Sequence, residues 1–356
     1  HKMLIEKINV SETNIMDSEK IEKLKALAEK IDFNDSRLNQ HYREMEETSA
    51  NIKPYAGYST LLRAPQHISL KELEIALIGV PFDFGVTNRP GARFGPQQIR
   101  EVSSMAEGPM HHESKIIPSQ LCRFGDYGDV NFESTYNLDQ GIEEIEAYYH
   151  KVIDAGVIPI SAGGDHSITY PILKAVGREN SVGLIHIDAH ADTGGPFNGS
   201  KFHHGGPFRN AALAGVLDPE RTIQIGIRGR AEPHWDFSYD SGMRVIHIEE
   251  FYQMGLEKVI EEARKVVGDS PTYISFDVDG IDPAFTPGTG TPEVGGLTPR
   301  EVQQLIRGMR GLNLVGGDVV EVAPPYDPSG NTALVAATMM WEILCVIADS
   351  VANKSN

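Results

Sequence analysis

Three short segments concentrate the side chains that could do chemistry. They read Ser161-Ala-Gly-Gly-Asp-His166-Ser-Ile-Thr, Ile187-Asp188-Ala-His190-Ala-Asp192 and Ser275-Phe-Asp277-Val-Asp279-Gly. Each follows an apolar run, so each starts inside the protein. Asp188, His190 and Asp192 stand at i, i+2 and i+4, which on a strand share one face. Two carboxylates and an imidazole crowded there repel and lose hydration at high cost. A bound divalent cation removes that cost. Asp277 and Asp279 repeat the logic at i and i+2, and His166 follows a Gly-Gly bend that lets the backbone turn sharply. Four carboxylates and two imidazoles are many ligands for one ion and a natural set for two, with one or two carboxylates bridging. Oxygen-rich ligation with some imidazole suits Mn(II), and Ni(II) or Fe(II) less well. The thiolates of a structural zinc site are missing from the set.

A lone Asp at a strand end is usually a turn or cap residue, and a lone His is usually a satisfied core or surface group. Three clusters on three strand ends argue against coincidence. His186, two residues before Asp188, reads as core or as support for a ligand. His111, His112, His234 and His247 have no ligand-like context.

The elements that must position these groups follow from the apolar pattern. Apolar runs occur at Ile75–Val80, Val157–Ser161, Val182–Asp188, Thr222–Ile227, Val245–Ile248, Tyr273–Asp277 and Val315–Val322. Helical segments alternate with them near Pro96–Ser104, Leu138–Ala155, Ile168–Val176, Pro207–Leu217, Leu256–Val267, Pro299–Arg310 and Ala333–Val351. Nearly continuous apolar strands alternating with helices predict a mostly parallel sheet covered on both faces, a three-layer α/β/α sandwich. With no internal repeat or low-complexity linker, residues 71–356 read as one catalytic domain. In such sheets functional groups gather at the carboxyl ends of the strands.

Residues 1–70 differ, being rich in Glu, Lys, Asn and Ser, and read as an N-terminal extension on the main domain or on a neighbouring subunit. Asp17 or Ser18 can cap a helix carrying Ile21, Leu24, Ala28 and Ile31. A second charged stretch runs from Arg43 to Glu47. Ile52–Pro65 reads as an extended arm whose Tyr55, Tyr58 and Arg63 could reach a pocket rim. His1 and Lys2 before Met3 read as an artificial leader.

The 356 residues carry a net charge of −18, with 40% apolar and 23% charged side chains. That balance excludes disorder. The net charge argues against nucleic acid as the main partner and is compatible with a cationic substrate. No apolar run is expected to reach the ~18 residues of a membrane span. Two distant cysteines, Cys122 and Cys345, exclude a disulfide scaffold and point to a reducing, cytoplasmic setting.

GGDHS, DAHAD and SFDVDGIDPAFTPGTGTPEVGGL resemble the signatures of the ureohydrolase family of arginases, agmatinases and related amidinohydrolases. The resemblance runs from about Ala76 to the C-terminus and includes Asn88–Pro96 and Glu321-Val-Ala-Pro324. It implies an arginase-like fold and a binuclear manganese site. One ion would be held by His166, Asp188, Asp192 and Asp277, and the other by Asp188, His190, Asp277 and Asp279. It implies that His204 shuttles a proton, that Glu321 pairs with the substrate guanidinium, and that the protein is a homotrimer or homohexamer. In the implied reaction, water acidified by two cations attacks a guanidinium carbon to give urea and an amine or ammonia.

Thr193-Gly-Gly-Pro-Phe-Asn-Gly-Ser-Lys201 departs from the arginase pattern, which disfavours arginine. His203-His204-Gly-Gly-Pro-Phe departs from the HGTPF-like run of typical agmatinases. With the extension, this resembles the branch that hydrolyses free guanidine or similar small guanidinium compounds, for which nickel is implied. Agmatine or another guanidino acid is the alternative. A single-metal deacetylase would not need His166 and Asp279, a two-metal phosphoesterase does not match the metal signatures, and a noncatalytic relative would be expected to lose a ligand.

Overall fold

The computed structural model describes residues 17–47, 53, 55–106, 108–229 and 235–354. The chain divides into a unit ending at Ile52 and a unit from Lys53 onward. Within the first, Asp17 caps the helix Ser18–Ala28 by accepting from the Glu19 N–H, and a second helix spans Ser36–Glu47. No residue of the first helix is buried, and Ile31 lies beyond its end.

The second unit is built on eight strands: β1 Ile75–Val80, β2 Phe124–Asp129, β3 Ile158–Gly163, β4 Val182–Ile187, β5 Leu217–Ile227, β6 Arg244–His247, β7 Thr272–Asp277 and β8 Leu314–Val320. They form one sheet in the order β2-β1-β3-β8-β7-β4-β5-β6, and every pairing is parallel. Alternation along the strands feeds two cores. Ile75 and Leu77 of β1 face one side, with the helices Gly95–Ala106, Leu256–Val267, Pro299–Gly308 and Asn331–Lys354. Ala76, Ile78 and Val80 face the other, with Leu138–Asp154, Thr169–Val176 and Pro207–Leu213. This is the expected three-layer sandwich.

The structure corrects two sequence expectations and narrows a third. β2 is an additional edge strand: its sequence Phe-Gly-Asp-Tyr-Gly-Asp is too polar to register as an apolar run. The helix Asn331–Lys354 is long and apolar enough to cross a membrane, with mean hydropathy 1.8, so an apolar stretch of that length does exist. It is a core helix, 72% of that stretch being buried inside the protein. The described part of the arm before β1 does reach a pocket rim, through Tyr58, but it is not the rim of the cavity described below. Pro65 and His67 bond to Asp126 of β2 through the backbone, and the Leu61 N–H donates to the Asp126 carboxylate. Tyr58, Ser59 and Thr60 line a separate cavity of about 380 Å³ beside Asp129.

Candidate metal and catalytic centre

β3, β8, β7 and β4 are consecutive in the sheet, and their carboxyl ends are level. Ala162 pairs with Val319, Asp277 with Val320, and Ile187 with Phe276. Residues just beyond these ends therefore converge, although they are far apart in sequence.

Local turns, not a shared strand face, do the rest. β4 stops at Ile187, so Asp188, His190 and Asp192 lie in the turn after it. The His190 N–H donates to Asp188 Oδ1 at 2.6 Å, and Asp192 takes a left-handed φ of 52°. Asp277 ends β7, and Asp279 lies in the one-turn helix Val278–Gly280, its N–H donating to Asp277 Oδ1 at 2.8 Å. Tight turns bring these ligands together, because an N–H bonded to the preceding carboxylate folds the chain back. Gly280 allows the two turns to touch: a Cβ there would lie 3.0 Å from both N and Cα of Asp188.

The predicted ligand atoms cluster. His166 Nδ1 lies 3.1 Å from Asp188 Oδ2, 2.9 Å from Asp192 Oδ2 and 3.3 Å from Asp277 Oδ2. It is buried and hydrogen-bonded to none of them. His190 Nδ1 lies 3.1 Å from Asp279 Oδ2 and 3.5 Å from Asp188 Oδ1. An octahedral cation with ligands about 2.1 Å away sets neighbouring donors about 3 Å apart. The spacing, the orphaned imidazole nitrogen and the oxygen-rich donor set all fit divalent cations, with Asp188 common to both groups.

His204 and Glu321 meet directly. The His204 Nδ1–H donates to Glu321 Oε1 at 2.8 Å, and the His166 N–H donates to the same oxygen at 2.9 Å. Thr87 Oγ1 lies 2.7 Å from His204 Nε2. Glu321 Oε2 is buried without a hydrogen-bond partner. One carboxylate oxygen, not two, is therefore left to accept from a bound group. Glu321 sits at φ 65°, a strained left-handed backbone for a non-glycine residue, and its N–H is held by Gly164 O. A cavity of about 270 Å³ opens over these groups, lined also by Phe197, His203, Trp235 and Thr291. None of its described lining residues is Lys or Arg.

The arginase family model matches residues 73–346. This chain belongs to the arginase family. It is 50% identical over 320 residues to guanidinopropionase of Pseudomonas aeruginosa, covering 89% of this chain and 99% of that protein. It is 48% identical over 294 residues to the mitochondrial agmatinase of Gallus gallus, covering 82% and 86%. The solved structure of proclavaminate amidino hydrolase from Streptomyces clavuligerus superposes with a TM-score of 0.80 at 36% identity, covering 84% of this chain and 99% of that one. This arginase-family protein is an amidinohydrolase, an enzyme acting on C–N bonds of small guanidino compounds.

The electrostatics of this arginase-family centre are those of a cation site. Without a cation, burial pulls the His166 and His190 imidazoles down, but the surrounding carboxylates outweigh burial and hold both well above the usual range. Burial and the neighbouring Asp188 push Asp279 up to about 6, and burial with Asp279 and Asp188 raises Asp277 well above the usual range. A cation binding here displaces protons. Burial also opposes the charge on His204, yet Glu321 lifts it to about 9, and Glu321 is held correspondingly low.

Two further residues, His186 and Gln224, stand behind the candidate ligands, and only Gln224 was unassigned by sequence. His186 Nε2 meets Asp188 Oδ2 at 2.8 Å, and Gln224 reaches both His186 Nδ1 and the Ala191 carbonyl. His186 thus supports a candidate ligand. Gln224 gave a signal only as a polar residue within the apolar strand β5. His111 is bonded to Glu342 at 2.9 Å in the core, and His247 lies against Trp235. His234 lies outside the described residues.

Proposed function

We propose that the enzyme holds two divalent cations through His166, Asp188, His190, Asp192, Asp277 and Asp279, and hydrolyses a compact guanidinium compound, free guanidine foremost, to urea and ammonia. The carrying observation is Glu321: outside the proposed ligand set it brings to the cavity a buried carboxylate oxygen, Oε2, with no hydrogen-bond partner. That oxygen suits a guanidinium N–H, and none of the described lining residues is a Lys or Arg to pair with a carboxylate tail. The donor set favours Mn(II), with Ni(II) the alternative.

When bound, two such ions lower the pKa of water toward neutrality and so supply a nucleophile at pH 7. The chain's own residues supply aim and protons. Glu321 Oε2 accepts from a guanidinium N–H and balances the substrate charge. Glu321 Oε1 meanwhile fixes the His204 proton at Nδ1 and orients the ring. His204, whose hold on a proton Glu321 strengthens, is the residue to pass one to the departing nitrogen. A homotrimer or homohexamer is the assembly we propose.

The second reading is a guanidino acid. It is favoured by the 50% identity to a guanidinopropionase over nearly that protein's whole length. Urea release from arginine, agmatine, 4-guanidinobutyrate, 3-guanidinopropionate and guanidine, each with Mn(II) and Ni(II), separates the readings. The highest kcat/KM on guanidine supports the first; the highest on either guanidino acid replaces it with the second.

A further inference from the structure

We propose that Asp318, acting through Ser275, is a positioning residue that keeps a proton on His166 Nε2 and leaves Nδ1 bare for a cation. This rests on the reading of His166 as a ligand.

Asp318 lies in β8 and Ser275 is its register partner in β7, so their side chains stand side by side. His166 Nε2 lies 2.8 Å from Ser275 Oγ, and Ser275 Oγ lies 2.7 Å from Asp318 Oδ1. Asp318 Oδ2 accepts from Thr169 Oγ1 at 2.8 Å and from Tyr273 OH at 3.0 Å. His166, Ser275, Asp318, Thr169 and Tyr273 are all fully buried.

Proton counting sets the direction of this chain. Three hydroxyls point at Asp318, so the group acts as an ionised acceptor. The single Ser275 proton is then committed to Asp318, which leaves the Ser275 oxygen as an acceptor. Its remaining neighbour is His166 Nε2, which must donate. An imidazole that donates from Nε2 and is otherwise neutral has its lone pair on Nδ1. That nitrogen faces Asp188, Asp192 and Asp277. Among the described residues, Asp318 has no Lys or Arg bonded to it. A buried carboxylate without a cationic partner is costly, and its use here is to orient a ligand and add negative charge behind it.

The test compares the full-length wild type with Ser275→Ala, Asp318→Asn, the double variant and Ser275→Thr. Mn(II) affinity is read by competition with a chelator, and folding by circular dichroism. Each of the two disabling substitutions is expected to weaken one of the two ions by roughly 10- to 100-fold, the range seen when a ligand loses its supporting partner. The double variant should be no weaker than the worse single, because both act on one relay. Ser275→Thr, which keeps the hydroxyl, should restore affinity. Two ions bound at wild-type affinity in folded Ser275→Ala and Asp318→Asn overturn the proposal, and so do fully additive losses. If Asp318→Asn does not fold, Ser275→Ala and its threonine rescue decide alone. A wild type that takes up no Mn(II) overturns the ligand reading itself, a result distinct from two bound ions indifferent to the relay.

Discussion

Replacing Glu321 by Gln tests the catalytic half of the centre with little disturbance of the metal half. Glu321 touches a predicted ligand only through the His166 backbone N–H, so metal content should stay near two ions. The amide oxygen can keep that bond and the one to His204. The amide nitrogen then occupies the place of Oε2 and presents a donor to the guanidinium's own donors. A hydrogen bond to a charged group contributes about 1.5–3 kcal/mol, and about 1.4 kcal/mol is tenfold in rate, so kcat/KM should fall roughly 10- to 150-fold. A second signature follows from His204. Glu321 is the neighbour that lifts its pKa to about 9, so the substitution lets the imidazole lose its proton at lower pH. If protonated His204 is the donor, the alkaline fall of kcat/KM should move to lower pH in the variant. The assay is urea release against pH, with metal measured on the same samples. Near-normal kinetics in a metal-replete variant, or a rate loss that tracks metal loss, would refute the reasoning.

Elemental analysis should find two ions per subunit in metal-loaded wild type and fewer in Asp277→Ala; a wild-type value near one defeats the two-ion reading. Deleting residues up to about Ala50 should leave a folded, metal-binding protein with altered oligomer mass or an altered guanidine-to-agmatine preference. An unchanged mass and ratio make the extension a passive leader, and loss of folding makes it part of the core. Stability should show an acid limb set by Glu342. Burial opposes its charge, but His111 and Arg307 hold its carboxyl below the ordinary 4.5. Its contribution is therefore present above about pH 4.5 and lost as pH falls through the lower folded value. Glu342→Gln should flatten the decline of Tm below pH 4.5, and an unchanged slope removes this pair as the cause.

The candidate ligands were legible because each cluster is local in sequence: DAHAD and DVD carry their donors within five residues. The alternating strands and helices were legible for the same reason, since burial on both faces leaves continuous apolar runs. Contacts across long separations were not. His204 and Glu321 are 117 residues apart, and their direct bond follows only from the level ends of β3, β8 and β4. Asp318 gave a faint signal as an acid inside the apolar run Val315–Val322, with nothing to say that Ser275 and His166 stood behind it. β2 was missed because an edge strand can carry Asp126, whose carboxylate is held by Arg100 and by the Leu61 N–H.

The position of β8 has a consequence for how the chain is made. β8 begins at Leu314, near the end of the sequence, yet it fills the slot between β3 and β7 in the middle of the sheet. Until it emerges from the ribosome, β3 and β7 each present an unpaired edge to other chains. The last helix, which covers one face of the sheet, arrives later still. Glu321 travels with β8, so neither the cation cluster's surroundings nor the His204–Glu321 pair exists before then. A nascent chain stalled short of Leu314 is therefore two open half-sheets, inactive and prone to aggregate. Closure of the sheet and the onset of activity are one late event in the enzyme's synthesis.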